Sequence, residues 1–413
     1  MDNEGRGIIM KQEYIKNNLV IKKIEIEHLS QFNNLLRYVF QVTNNTLSEV
    51  GWEDFEIQQE KLPTLKKAEV LGWFDGDKLV SQIAVYPLKV NIHGRLFKMG
   101  GVTGVGTYPE YSGMGLIKEI MLQSLEEMRE KGQTISYLFP YSIPYYRKKG
   151  WEIISDVMTF SLKDSQLPKK VEVDGIVQRV DLEHEDVKQV YNRFAKLHHA
   201  ALIRGSLEWG EYWRWEKEEM VAAVYYDSEQ VPQGYLLYWV ENDIFYIKEM
   251  IYLLQEARHG LWNFINAHFS MISEVKGKTF RNESIAFLLE DSEIVETIRP
   301  YYMARIVDVK AFLEKFPFNG KSEPFYFVVQ DSLLEWNRGI FSLSWDEKDN
   351  VIVTKEAIGK EVKLNINTLT TMLMSYRSPS YLKEIGRIQS DNHTIKELEK
   401  IIPSNIAYFS DFF

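Results

Sequence analysis

Apolar and polar positions follow two rhythms along this chain, and the switches between them mark its elements. Leu29, Phe32, Leu35, Leu36, Val39 and Phe40 recur at helical spacing, so a helix follows the polar start. From Glu69 to Pro109 the pattern is strand-like over two or three strands, with reversals at Asp75-Gly76 and His93-Gly94. Helical spacing returns from Leu116 to Lys131. A short strand, "TISYLFPYS", a short helix within "IPYYRKKGWE" and a last strand, "IISDVMTFSL", close the series. This order predicts an α/β layer over residues 1–163, with 1–18 as a tail.

The polar stretch from Lys163 to Gly175 reads as a linker. Beyond it the order repeats in outline over residues 164–307: the helix "HEDVKQVYNRFAKLHHAAL", a hairpin turning at Glu241 to Asp243, and the helix "QEARHGLWNFINAHFSMI". Residues 308–413 give a smaller α+β unit. There a short helix precedes strands with turns at Asn337 to Gly339 and Asp346 to Asn350, and helices follow. The fold class expected is therefore α/β and α+β, multidomain. Free tails are usually polar, so the aromatic end "IAYFSDFF" is expected to be docked.

Composition narrows the chemistry. The 413 residues exceed one ordinary core, and 45% hydrophobic with 26% charged residues is a globular balance. No segment approaches the roughly 18 apolar residues of a membrane helix. The polar, acidic start lacks the order of a secretory signal, so a cytoplasmic location without membrane association is expected. The absence of Cys removes disulfides and thiolate chemistry, and eight scattered histidines suggest no metal site. With 59 acidic against 49 basic residues, and only Arg147 to Lys149 as a basic cluster, nucleic acid is not an expected partner.

Two motifs carry candidate chemistry. In "GVTGVGTYPEYSGMGLIKEIM" a strand runs into a helix through Gly113-Met114-Gly115. A tight turn alone would explain the glycines. Yet the helix has no acidic residue before Glu119, which leaves its positive end open to an anion. No Gly-Lys-Ser/Thr or third glycine follows, which excludes a P-loop and a Rossmann fingerprint. The corresponding junction of the second unit, "MIYLLQEARHG", has no glycine pair. Downstream, "PYSIPYYRKKGWE" is rich in aromatics; most of Tyr137, Tyr141, Tyr145, Tyr146 and Trp151 are expected to be packing, while one phenol can donate a proton.

"VGTYPEYSGMGLIKEIM" resembles the cofactor turn of the GNAT acyl-CoA N-acetyltransferases, and "PYYRKKGWE" is similar to that superfamily's tyrosine motif. Ser112 stands where the motif has Arg or Gln, and Ile117 where it ends in Gly or Ala. The whole order, two units of GNAT outline and an α+β unit similar to a sterol carrier protein, resembles the enhanced intracellular survival (Eis) family. The resemblance implies acetyl-CoA as cosubstrate. It implies that Val105, Gly106 and Thr107 lie along the pantetheine and the carbonyl. Ser112, Gly113, Met114, Gly115, Leu116 and Ile117 would hold the pyrophosphate, with Ser142 also at the cofactor. Tyr146 matches the general acid. The terminal carboxylate of Phe413 matches the family's base, with Asp411 a competing candidate. The implied acceptor is an amine of a polycationic small molecule such as an aminoglycoside, or a protein lysine, and the implied assembly is a homo-oligomer, a hexamer. An apolar-ligand carrier with a degenerate acetyltransferase unit is the alternative.

Overall fold

The computed structural model describes residues 16–49, 53–213 and 220–413. Most of the expected tail, 1–15, and part of the aromatic stretch 205–221 lie outside the described residues. Among the described residues no helix is long and apolar enough to cross a membrane.

The first sheet holds β1 (Leu19–Lys23), β2 (Glu69–Asp75), β3 (Lys78–Ile92), β4 (Arg95–Thr107), β5 (Ile135–Leu138) and β6 (Glu152–Ile153). Helices α1 (Leu29–Val39), α2 (Asn44–Glu49), α3 (Asp54–Lys67), α4 (Leu116–Glu130) and α5 (Ile143–Arg147) connect them. In α4 the buried Leu116, Ile120, Met121, Leu125 and Met128 form one stripe, which fixes that face against the sheet. The β3–β4 reversal falls where expected: His93 and Gly94 both take positive φ, 46° and 86°, as a two-residue hairpin requires.

The second sheet holds β7 (Asp156–Lys163), β8 (Ile176–Val180), β9 (Val221–Tyr226), β10 (Pro232–Glu241), β11 (Ile244–Tyr252), β12 (Glu274–Phe280) and β13 (Val295–Pro300). Helices α6 (Glu185–Leu197), α7 (Ser206–Trp213) and α8 (Gln255–Asn266) accompany it. The next strand, β14 (Met303–Ile306), does not join them; it returns to the first sheet between β5 and β6. Conversely, β7, read from the sequence as closing the first layer, lies in the second sheet between β12 and β13. The two chain passages cross at Ser155, whose carbonyl accepts from the Tyr301 amide at 2.9 Å and whose hydroxyl accepts from the Tyr302 amide at 3.2 Å. Alternation identified a strand at β7, but no Gly or Pro between Ile153 and Asp156 marks that change of sheet, whereas Pro300 ends β13 in the return passage.

The third unit is a four-stranded sheet in the order β17-β16-β15-β18, built from β15 (Phe325–Gln330), β16 (Gly339–Trp345), β17 (Val351–Thr354) and β18 (Lys360–Asn365). Its helices are α9 (Val309–Lys315), α10 (Ile366–Leu373), α11 (Pro379–Glu384) and α12 (Asn392–Ile401). Its core is continuous with that of the first unit: Phe312, Phe327, Phe341 and Leu369 share one buried cluster with Tyr86, Phe97 and Met99.

Candidate active site

Strands β4 and β5 run parallel from Met99 beside Ile135 to Val102 beside Leu138, and then part. Beyond that point β4 continues to Thr107 paired only with β3, across a bulge between Gln82 and Ala84 where Gly104 takes φ 61°. The result is a wedge with Val105, Gly106 and Thr107 on its open edge. At the end of β4 the chain makes a short turn, Pro109–Tyr111, anchored by Tyr111 donating to Asp75 at 2.8 Å. Ser112 follows, then Gly113 and Gly115 at φ 82° and 78° with Met114 buried between them. Gly115 starts α4 without a side-chain cap, and the amides of Gly113 to Ile117 find no acceptor among the described residues. Five unspent donors at the N-terminus of a 15-residue helix fit a pyrophosphate.

Adjacent positions of β4 look to opposite faces of the sheet. A Cβ on Gly100 would meet Met128 of α4 at 2.5 Å, whereas one on Gly101 would meet the Phe413 ring at 2.8 Å. Tyr146 belongs to the α4 side, in one apolar cluster with Val102, Met114, Leu116 and Leu138. It is buried on α5 behind Ser142, whose carbonyl accepts from the Tyr146 amide at 3.2 Å. Its hydroxyl has no hydrogen-bond partner among the described residues. Burial, with Tyr145 adding, pushes its pKa upward, so the phenol keeps its proton at neutral pH. Phe413 packs on the other face, its amide donating to the Tyr302 hydroxyl at 3.2 Å and its ring edge-on to Tyr86. The wedge thus has a phenol on one side and the docked chain end on the other.

A model of the acetyltransferase (GNAT) domain matches residues 20–154, a second GNAT acetyltransferase model matches 200–306, and a sterol carrier protein domain model matches 309–410. The chain is an acyltransferase with two GNAT domains. Its fold matches a protein of Enterococcus faecalis V583 described as a probable N-acyltransferase, with 29% identity over 96% of this chain and 100% of that one, at a TM-score of 0.88. A GCN5-related N-acetyltransferase from Anabaena variabilis ATCC 29413 matches with 25% identity over the same shares, at a TM-score of 0.83. Eis1 from Mycobacterium abscessus shares the fold at a TM-score of 0.78, with 16% identity over 96% of this chain and 100% of that one. No curated protein matches the chain.

Further residues of the acyltransferase gather at the site without a motif to announce them. Lys16, inside the expected tail, pairs with Glu119, and its Nζ lies 4.0 Å from where a Cβ on Gly115 would stand. Burial and the nearby Lys118 hold Lys149 below its ordinary pKa. Lys16 comes near this turn only once the chain is folded, whereas Lys149 belongs to the basic cluster already visible in the sequence. Of the downstream aromatics, Tyr137, Tyr146 and Trp151 are buried, while Tyr141 is 82% exposed and Tyr145 is exposed on the outer side of α5.

The chain end is held by a buried ionic cluster. Arg204 donates from Nε to Asp411 at 2.6 Å and through both Nη atoms to Glu249 at 2.8 and 2.9 Å. The rings of Tyr191, Tyr212 and Trp209 surround its guanidinium at 3.7, 3.9 and 4.5 Å. The other oxygen of Asp411 accepts from Tyr191 at 3.1 Å, and Ser410 donates to Glu249 at 2.9 Å. Burial raises Asp411, and Arg204 offsets this only in part; Glu249, also raised by burial, is brought below its ordinary value by Arg204, Tyr235 and Ser410. In the second unit β11 and β12 also part, after Ile247 beside Gly277. A small cavity of about 60 Å³ opens there, and Phe409 and Ser410 of the tail line it together with Lys248, Lys278 and Trp262.

Proposed function

We propose that the chain transfers the acetyl group of acetyl-CoA to a primary amine, on an aminoglycoside-like polycation or a lysine side chain, as an Eis-type enzyme in the cytoplasm and as a homohexamer. The observation that carries this reading is the pair of groups on opposite faces of the wedge, Tyr146 and the docked Phe413. Bound acetyl-CoA would supply an activated thioester. The amides of Gly113 to Ile117, with Lys16, Lys118 and Lys149, would hold its pyrophosphate, and the open edge at Val105 to Thr107 would align the rest. Ser142 lies beside that path at the start of α5.

The terminal carboxylate of Phe413 would accept a proton from the substrate ammonium, directly or through a water, and the neutral amine so formed would attack the thioester carbonyl. An α-carboxyl starts from a pKa of about 3.5, so burial must raise it for this task. As the N–C bond forms and the C–S bond breaks, Tyr146 would give its proton to the departing thiolate, and the proton shed by the acylated nitrogen would restore the phenol through water. Asp411 has both oxygens engaged by Arg204 and Tyr191, which favours Phe413 as the base and Asp411 as its anchor. The carrier alternative rests on the third unit, whose Phe327, Phe341 and Leu369 instead pack into the core shared with the first unit.

The test is CoA release from acetyl-CoA against a panel of polyamines, aminoglycosides and lysine peptides. Removing Phe413, or extending the chain by three residues, should lower turnover by about 10²- to 10⁴-fold, the usual worth of a general base. Acetyl-CoA should still raise the melting temperature of both variants. An unchanged rate removes the terminal carboxylate from the mechanism, and no release with any amine removes the N-acetyltransferase reading.

A further inference from the structure

Helix α5 is too short to hold a catalytic side chain by itself. Five residues give a single turn, closed at its ends by the Tyr146 amide donating to the Ser142 carbonyl at 3.2 Å and the Lys148 amide to the Pro144 carbonyl at 3.3 Å, and helices of this length are not stable alone. Its last carbonyls are closed locally, Tyr146 accepting from the Lys149 and Trp151 amides at 2.9 and 3.1 Å and Arg147 from the Gly150 amide at 3.1 Å, but the carbonyls of the turn that follows, Lys148, Lys149 and Trp151, take partners from outside it.

Those partners come largely from the sterol-carrier-like unit. Asn367 Nδ2 donates to the Arg147 carbonyl at 3.0 Å and to the Trp151 carbonyl at 2.7 Å, bridging the two ends of the turn that follows Tyr146. One helical turn further along α10, Thr371 Oγ1 donates to the Ile153 carbonyl at 2.9 Å. Ser332 faces the Lys148 carbonyl at 3.4 Å. Arg305 of β14 donates to the Lys149 carbonyl and is itself held by Asp331 of the third unit, with both side chains fully buried. Glu152 is shared between Arg147 at 2.9 Å and the third unit's Arg387 at 2.8 Å.

We propose that the third unit is a brace for the proton donor: Asn367, supported by Ser332 and the Asp331-held Arg305, is a positioning residue that fixes the Tyr146 hydroxyl at the wedge. This rests on the reading of Tyr146 as general acid. It gives the sterol-carrier-like unit a part in acyl transfer that requires no apolar ligand. Because Asn367 is only half-buried, its substitution leaves the core intact.

Hydrogen exchange tests the brace without reference to chemistry. In Asn367→Ala the amides of residues 143–151 should exchange faster, with α4 and the third-unit core unchanged; unaltered exchange overturns the proposal. Kinetics then test what the brace does, with acetyl-CoA and kanamycin, or whichever amine of the panel turns over. N367A should lower kcat by on the order of tenfold to a hundredfold, as small misplacements do, with KM for acetyl-CoA within about twofold. Asn367→Asp, which keeps the size but loses the donor, should behave alike. In a Tyr146→Phe background N367A should have no further effect. The same loss in both backgrounds overturns the positioning role. A Y146F variant with full kcat overturns the general-acid reading and this role with it, leaving the exchange result to report on the brace itself.

Discussion

Gly150 stands at φ 91°, and a Cβ there would fall 1.8 Å from Nη1 of Arg305. Its place four residues after Tyr146 is therefore set by two independent demands, a left-handed backbone and room for a buried cation. Gly150→Ala should cost on the order of 2–4 kcal/mol, combining left-handed strain with displacement of the Arg305 head from the Lys149 carbonyl; chemical denaturation measures it. The same reasoning separates the glycines of the first unit. Gly115 meets only the Lys16 Nζ at 4.0 Å, so conformation rather than space requires glycine there. Gly101 has no positive φ, but the Phe413 ring fills the volume a side chain would need.

The C-terminal tail is an element without secondary structure, fixed by one buried cation serving two carboxylates. Removing that cation strands Glu249 and Asp411 in a dry site, so Arg204→Met should destabilise the protein by about 3–5 kcal/mol in chemical denaturation. Arg204→Lys should recover only part, because an ammonium cannot reproduce the fork that grips Glu249 while Nε holds Asp411. The aromatic rhythm of "IAYFSDFF" made its docking legible in the sequence, and Ala407, Phe409, Asp411 and Phe413 are the buried members. What it docks against was not legible, since Arg204 lies 207 positions away in the chain. Local patterns also gave the glycine turn, the tyrosine helix and the hairpin at Asn242 and Asp243, where both φ angles are positive. Asn367 carries no such signal: an asparagine in the first turn of a helix is ordinary until the carbonyls it faces are known.

All three units meet at a pair of imidazoles. His93 of the β3–β4 hairpin stacks on His199, which follows α6, with ring centroids 3.6 Å apart; both face carbonyls at the end of α10, His93 that of Leu373 at 3.2 Å and His199 that of Met374 at 3.1 Å. Burial pushes His93 down to about 4 and His199 well below its ordinary value, the latter also through His93. The unfolded chain therefore takes up protons first as pH falls, so stability is complete above about 6.5 and is lost toward pH 4. Thermal unfolding from pH 7 to 4 should show that slope, on the order of 3 kcal/mol for His93 alone, and the double variant His93→Asn, His199→Asn should flatten it. The exchanged strands bear on how such a chain can be divided. β6, which follows the tyrosine turn, pairs among the described residues with β14 and with no other strand, so the first unit is completed by a strand encoded beyond the second. A gene fragment ending at Lys163 would specify a sheet with a gap beside β5 and a surplus strand, β7, with no partner. The two halves are inseparable as heritable modules, and the absence of a glycine pair from the second does not free the chain to discard it.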